Sequence, residues 1–182
     1  MRPLQSVAMG LVVVALTARL HGYDALPDAV GWVLVLLGIR RLGLSRLLAG
    51  LVLAALVVSV VVWWPPVQAW LEDQHPSLWW AATLPQLAAC AVLCRDLAAR
   101  ATSVGDGRAA TWLRTALVLV VLAAAAPVPA LSADASADVL AAVYATAAGV
   151  LLLLIVLLFS FASLPWAGAR EPEPRASSAT GS

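Results

Sequence analysis

The chain has 182 residues, 63% of them hydrophobic and 12% charged, with a formal net charge of +1. A soluble domain carries about 25% charged residues, so this much apolar surface excludes a water-solvated globule and leaves lipid as the solvent. The near-zero charge argues against a nucleic-acid partner, which needs a concentrated basic patch.

All eleven basic residues are Arg, and Lys and Asn are absent. Codons for Ala, Gly, Pro and Arg are GC-rich, so this usage points to a bacterial source. Without Asn there is no acceptor for N-glycosylation. The two cysteines, Cys90 and Cys94, provide no disulfide framework.

In chain order, Arg2 is followed by an apolar run over Leu4–Ala18. A signal peptide has the same charge pattern, but the small-residue cleavage site is poor, and the run reads as a first span over about 3–20. The second span, about 24–42, has both ends marked. Asp24 or Asp28 caps its start, and Pro27 is tolerated there because a first-turn residue has no N–H partner to lose. At 1.5 Å per residue it is roughly 28 Å long, enough to cross. Gly31 and Gly38 are seven residues apart and share a face on which another helix can approach closely.

The third span, about 46–64, ends at Trp63–Trp64 and Pro65–Pro66. A connector with Trp70, Glu72, Asp73 and His75 leads to a fourth span over about 77–95, where Pro85 removes one backbone hydrogen bond and predicts a kink. After a polar segment over Arg95–Arg108, a fifth span covers about 111–127 and a sixth about 139–164. Residues 167–182, rich in Pro, Glu, Arg, Ser and Ala, read as a disordered cytoplasmic tail.

Orientation follows from arginine counting. With the N-terminus inside, Arg2, Arg40, Arg41, Arg46, Arg95, Arg100, Arg108, Arg114, Arg170 and Arg175 all fall on the inner side, and Arg19 alone falls outside. The outer loops instead carry Asp24, Asp28, Glu72, Asp73, Asp134 and Asp138. This asymmetry predicts an all-α, six-helix transmembrane bundle with both termini cytoplasmic. Trp63, Trp64, Trp70, Trp79 and Trp80 are expected in an outer aromatic belt, and Trp112 and Trp166 at the inner interface.

Four places are candidates for chemistry. The outer cluster Arg19, His21, Asp24 and Asp28 suits a polar headgroup or a cation, or simply caps a helix and forms a salt bridge. Thr83, Pro85 and Gln86 form a polar notch within the fourth span, of the kind that lines substrate sites in broken helices. Cys90 and Cys94, one turn apart, suit a soft metal, acylation or plain apolar packing. The outer tryptophans beside Glu72, Asp73 and His75 suit a cationic ligand or interfacial anchoring. There is no metal, nucleotide or serine-hydrolase motif, and no ionisable residue is expected at mid-depth, so neither an enzyme nor a cofactor is expected.

Asp24, Leu26, Pro27, Asp28, Gly31, Trp32, Gly38 and Arg40–Arg41 form a segment that resembles one found in small bacterial multi-pass membrane proteins: Asp-x-Leu-Pro-Asp, Gly-aromatic, an apolar run, Gly and a basic end. The resemblance covers about a tenth of the chain and implies a membrane location but no activity. The Pro85–Gln86 pair resembles PQ-loop transporters in that dipeptide alone. The expected function is therefore a membrane-embedded interaction or accessory protein, partnering lipid and another protein or a second copy through small-residue faces. The alternative is a small-molecule or lipid transporter or binding protein using the fourth helix.

Overall fold

A computed structural model describes residues 2–16, 28–72, 76–133 and 135–168. Those residues form eight α-helices and a short 3-10 helix: α1 (Pro3–Leu16), α2 (Asp28–Leu42), α3 (Arg46–Val62), α4 (Pro65–Glu72), α5 (Pro76–Ser103), α6 (Gly107–Ala125), α7 (Pro127–Ser132), α8 (Ala137–Phe161) and the 3-10 helix Pro165–Ala167.

Local chemistry sets the helix ends. Asp28 stands in the first turn of α2 and Arg40 and Arg41 in its last, each complementing the helix dipole. The chain then reverses at Gly43, whose φ of 64° is open to glycine at no steric cost. Two backbone bonds, Gly43 N–H to Arg40 O and Leu44 N–H to Ile39 O, close the end of α2. Ser45 caps α3 by accepting from Leu48 N–H at 3.3 Å. The α5–α6 turn repeats this design: Gly105 has φ 80°, Gly105 N–H and Asp106 N–H bond to Thr102 O and Ala101 O, and Asp106 caps α6 through Ala109 N–H at 3.0 Å.

The six longer helices form a closed ring. Each of α1, α2, α3, α5, α6 and α8 packs on its neighbours in that order, and α8 closes the ring against α1. One continuous apolar core runs through it, with Leu4, Leu11, Trp32, Leu48, Leu97, Leu113, Leu154 and Leu158 all at or below 1% exposure.

The tightest packing joins α1 to α2. A Cβ built on Gly10 would lie 2.5 Å from the Gly31 carbonyl oxygen, and one on Gly31 would lie 2.5 Å from the Gly10 carbonyl oxygen. One on Gly38 would meet Val7 Cγ2 at 2.5 Å and the Pro3 carbonyl oxygen at 2.9 Å. Without side chains at these points the two backbones touch, which supplies dispersion contact where lipid provides no hydrophobic drive for helix association.

Three segments among the described residues are long and apolar enough to cross a bilayer: Ser77–Ser103, Gly107–Ser132 and Ala137–Phe161. This differs from the expected six full-length spans. Helices α1 and α3 are apolar but shorter, and α2 has only 15 residues with a charge near each end. The stretch expected to lengthen α1 and α2, residues 17–27, lies outside the described residues, as does the tail 169–182. The expected polar loop over Arg95–Arg108 is also corrected. Helix α5 continues to Ser103, because Asp96 and Arg100 find partners on neighbouring segments while helical, and only 104–106 form the turn. Pro85 lies inside α5 without ending it.

Gly31→Ala should therefore destabilise the bundle by on the order of 1–3 kcal/mol, since a backbone oxygen must move. Gly50→Ala, which meets open space, should be neutral or slightly stabilising. Thermal or SDS unfolding of purified protein reads both; equal effects would dispose of the close-contact argument.

Candidate functional site

The polar chemistry of the described residues concentrates at one end of the ring. Four chain segments meet there: the start of α1, the α2–α3 turn, the α5–α6 turn and the 3-10 helix after α8. A Cβ on Gly168 would lie 3.1 Å from Pro3 Cγ and 3.5 Å from Leu42 Cδ2, which sets the end of α8 beside the start of α1 and the end of α2. Eight arginines, Arg2, Arg40, Arg41, Arg46, Arg95, Arg100, Arg108 and Arg114, belong to this end, with two carboxylates, Asp96 and Asp106.

Both carboxylates are engaged. Ser45 Oγ donates to Asp96 Oδ2 at 2.5 Å and Ser45 N–H to the same oxygen at 3.3 Å, so the cap of α3 is also tied to α5. The other oxygen, Asp96 Oδ1, accepts from Arg95 Nη2 at 3.2 Å. Four residues on, Arg100 Nη1 donates to the Leu42 carbonyl at 2.6 Å, satisfying an orphan C-terminal carbonyl of α2 and placing a cation at the negative end of its dipole. Asp106 accepts from Ala109 N–H and, through its other oxygen, from the Trp166 indole N–H at 3.1 Å. Arg114 Nη2 donates to Thr102 Oγ1 at 3.2 Å, and that hydroxyl donates in turn to Ala98 O.

Trp166 was expected among lipid headgroups. It is instead 8% exposed, beneath the α5–α6 turn and 6.0 Å from the Phe161 ring. Its indole finds its acceptor in Asp106 rather than in the interface. Trp112 is exposed, as are Trp63, Trp64, Trp70 and Trp79. Trp80 is half-buried, and its indole donates to Ala124 O at 3.1 Å, linking α5 to α6 at the opposite end.

The sequence-derived candidates separate. Arg19, His21 and Asp24 lie outside the described residues, as do Asp73 and His75. Asp28 is half-buried at the start of α2. Thr83 Oγ1 donates to Trp80 O at 2.7 Å, so that hydroxyl is used within its own helix, while Gln86 is half-buried. Cys90 and Cys94 are free thiols buried in the apolar core, away from the surface an acyl chain would need. Gly31 and Gly38 face α1 of the same chain, so that surface is occupied from within rather than offered to a partner. Among the described residues no group of three or more His, Cys, Asp or Glu is placed to hold a metal ion.

Two residues absent from the candidates are Trp32 and Ser59. Trp32 Nε1 and Ser59 Oγ are buried without a hydrogen-bond partner among the described residues. Other hydroxyls in these helices, on Thr102, Thr111, Ser132, Thr146 and Ser160, donate to the carbonyl four residues back. Ser59 does not. A serine in an apolar run such as Val57–Val62 was visible; its failure to bond back was not.

No protein-family model matches the chain, and neither the curated proteins nor the solved structures contain a match.

The Asp106 carboxyl is held below the ordinary carboxylate value, first by Ala109 N–H, then by the Trp166 indole and the nearby Arg108 charge. A depressed folded pKa contributes stability above the unfolded value of about 4, lost as pH falls through the folded value. The Trp166 indole N–H resonance should therefore hold its position down to about pH 4 and move only below it, and Asp106→Asn should abolish that titration. A midpoint at or above the ordinary Asp value would contradict this arrangement.

Proposed function

We propose that the chain crosses a bacterial plasma membrane six times, with both termini cytoplasmic, and serves as a membrane-embedded interaction or accessory protein without enzymatic activity. Three features support the topology. The six ring helices follow one another in chain order, the two tight glycine turns lie at one end, and that end carries the arginines that favour the cytoplasmic side.

The accessory role is carried by α8. Its buried residues, Leu154, Ile155 and Leu158, all lie in the half near the arginine end. None of residues 137–149 is buried, and Ala141, Ala142, Ala145, Ala148 and Gly149 are exposed there. A Cβ on Gly149 meets nothing within 4 Å. Because α2 has given its glycine face to α1, this half-helix is where a transmembrane helix of a partner or a second copy has room to approach.

Crosslinking in native membranes with a maleimide–benzophenone reagent, which attaches to a thiol and on irradiation inserts into any neighbouring C–H bond, tests both parts in a background with Cys90 and Cys94 replaced by Ala. Gly149→Cys should trap a partner or a second copy, and Ala145→Leu in the same chain should abolish the product. Trp70→Cys should label from outside and Gly105→Cys from inside. A monomer that crosslinks to nothing sinks the accessory role, and reversed labelling sinks the topology.

A second reading, a small-molecule or lipid transporter or binding protein working around Thr83, Pro85 and Gln86, draws on the unpaired Trp32 indole and Ser59 hydroxyl. Trp32 lies ten residues before Leu42 and Ser59 fourteen after Ser45, roughly 15 and 21 Å from the α2–α3 turn. If the Ser59 hydroxyl holds nothing, Ser59→Ala should leave stability unchanged or raise it by up to about 1 kcal/mol. A loss of more than that, read by thermal unfolding, would move the balance to the binding reading.

A further inference from the structure

Along the outward face of α6 runs an open cleft of about 360 Å³, lined by Thr111, Arg114, Thr115, Val118 and Leu119. We propose that this cleft binds one anionic phospholipid, with the phosphate on Arg114, Thr111 and Thr115 and an acyl chain along Val118 and Leu119. The proposal rests on the bundle's crossing a bilayer and not on the accessory role.

Depth is the first argument. The α5–α6 turn is symmetric about Gly105, so Arg114, nine residues after it, stands level with Asp96, nine residues before it. Asp96 is bonded to Ser45 in the α2–α3 turn, which marks where the shorter helices end. Arg114 thus lies in the plane where the bundle meets the headgroups. Beyond it α6 becomes apolar through Val118, Leu119, Val120 and Val121. The cleft therefore passes from cationic and hydroxyl-bearing at the interface to hydrocarbon within about two turns, which is the polarity profile of a phospholipid.

Charge is the second. Arg114 is exposed, and one of its N–H groups is fixed on Thr102 Oγ1, which holds the guanidinium against α5 while leaving further donors for a phosphate. Arg108 lies seven residues before Thr115 on the same face and adds a second positive charge on the aqueous side. Among the described residues no carboxylate lines the cleft. The nearest acid in sequence, Asp106, is committed to Ala109 N–H and the Trp166 indole. Basic pockets at the cytoplasmic ends of transmembrane helices are suited to anionic headgroups on these grounds.

The test is lipid retention by the full-length protein in detergent, followed by native mass spectrometry during titration with phosphatidylglycerol or phosphatidylcholine. One phosphatidylglycerol per chain is expected to persist in preference to phosphatidylcholine. Arg114→Gln should weaken retention at least tenfold, and Val118→Trp, which fills the cleft without altering charge, should do the same. Arg46→Gln, at the same end but on another helix, should leave it unchanged. Circular dichroism melts show whether a variant folds; if Arg114→Gln does not, Val118→Trp and Thr115→Val decide. Unchanged retention in the folded cleft variants, equal retention of phosphatidylcholine, or displacement of the lipid by millimolar inorganic phosphate would each overturn the proposal. So would a dimer that Val118→Trp splits, since the cleft would then hold a second copy.

Discussion

Two helix caps hold the arginine end of this protein together. Ser45 and Asp106 each follow a left-handed glycine, each satisfies an amide in the first turn of a helix, and each makes a second bond to a distant segment. Ser45 ties the α2–α3 turn to α5, and Asp106 ties the α5–α6 turn to the chain end after α8. A cap normally orders only its own helix. Here the same side chains fix the relative heights of three hairpin elements, and Arg100 adds a link from α5 to the last carbonyls of α2. In a lipid-solvated bundle this division of labour is sensible. Apolar side chains gain little by exchanging lipid for one another, so directional bonds at the interface and close backbone contact within the bilayer set the arrangement.

The close contact is supplied by Gly10, Gly31 and Gly38, and it acts on the elements that need it most. Among the described residues, Asp28, Arg40 and Arg41 leave α2 only a short uncharged run, and its pairing with α1 is the closest in the ring. The pair packs against α3 on one side and α8 on the other. At the other extreme α8 is long and apolar and buries residues only in the half that meets the arginine end. Among the described residues, α8 is thus packed along one half and exposed along the other.

Much of this was legible in the sequence, and the boundary is physical. Hydropathy and arginine asymmetry report on solvent, and they predicted an all-helical chain whose basic segments gather at one end. Gly43 before Ser45 and Gly105 before Asp106 are local turn signals, yet the connection between α5 and α6 was expected over all of Arg95–Arg108 rather than at Gly105. The seven-residue spacing of Gly31 and Gly38 marked a packing face, yet its partner Gly10, in another helix, carried no signal of its own. The length of α5 was misjudged because Asp96 and Arg100 look like loop residues until the Ser45 donors of the one and the Leu42 carbonyl acceptor of the other are known. Trp166 was misplaced for the same reason. A tryptophan near a span end favours the interface only when no nearby carboxylate competes for its indole N–H, and Asp106 competes.

Partnered and unpartnered charges part company at the arginine end. Asp96 and Asp106 are both used internally, and among the arginines Arg95, Arg100 and Arg114 make side-chain hydrogen bonds. Of these three, Arg114 alone lines the open cleft on α6, with one donor on Thr102 and others still available. Fixing one donor on Thr102 reduces the side-chain entropy a bound anion would otherwise have to remove, and the hydrocarbon side of the cleft accepts an acyl chain without breaking any internal contact. The same interactions that close the bundle at this end therefore pre-organise an exposed, anchored cation beside the cleft. The half of α8 over 137–149, which those interactions do not reach, buries none of its residues.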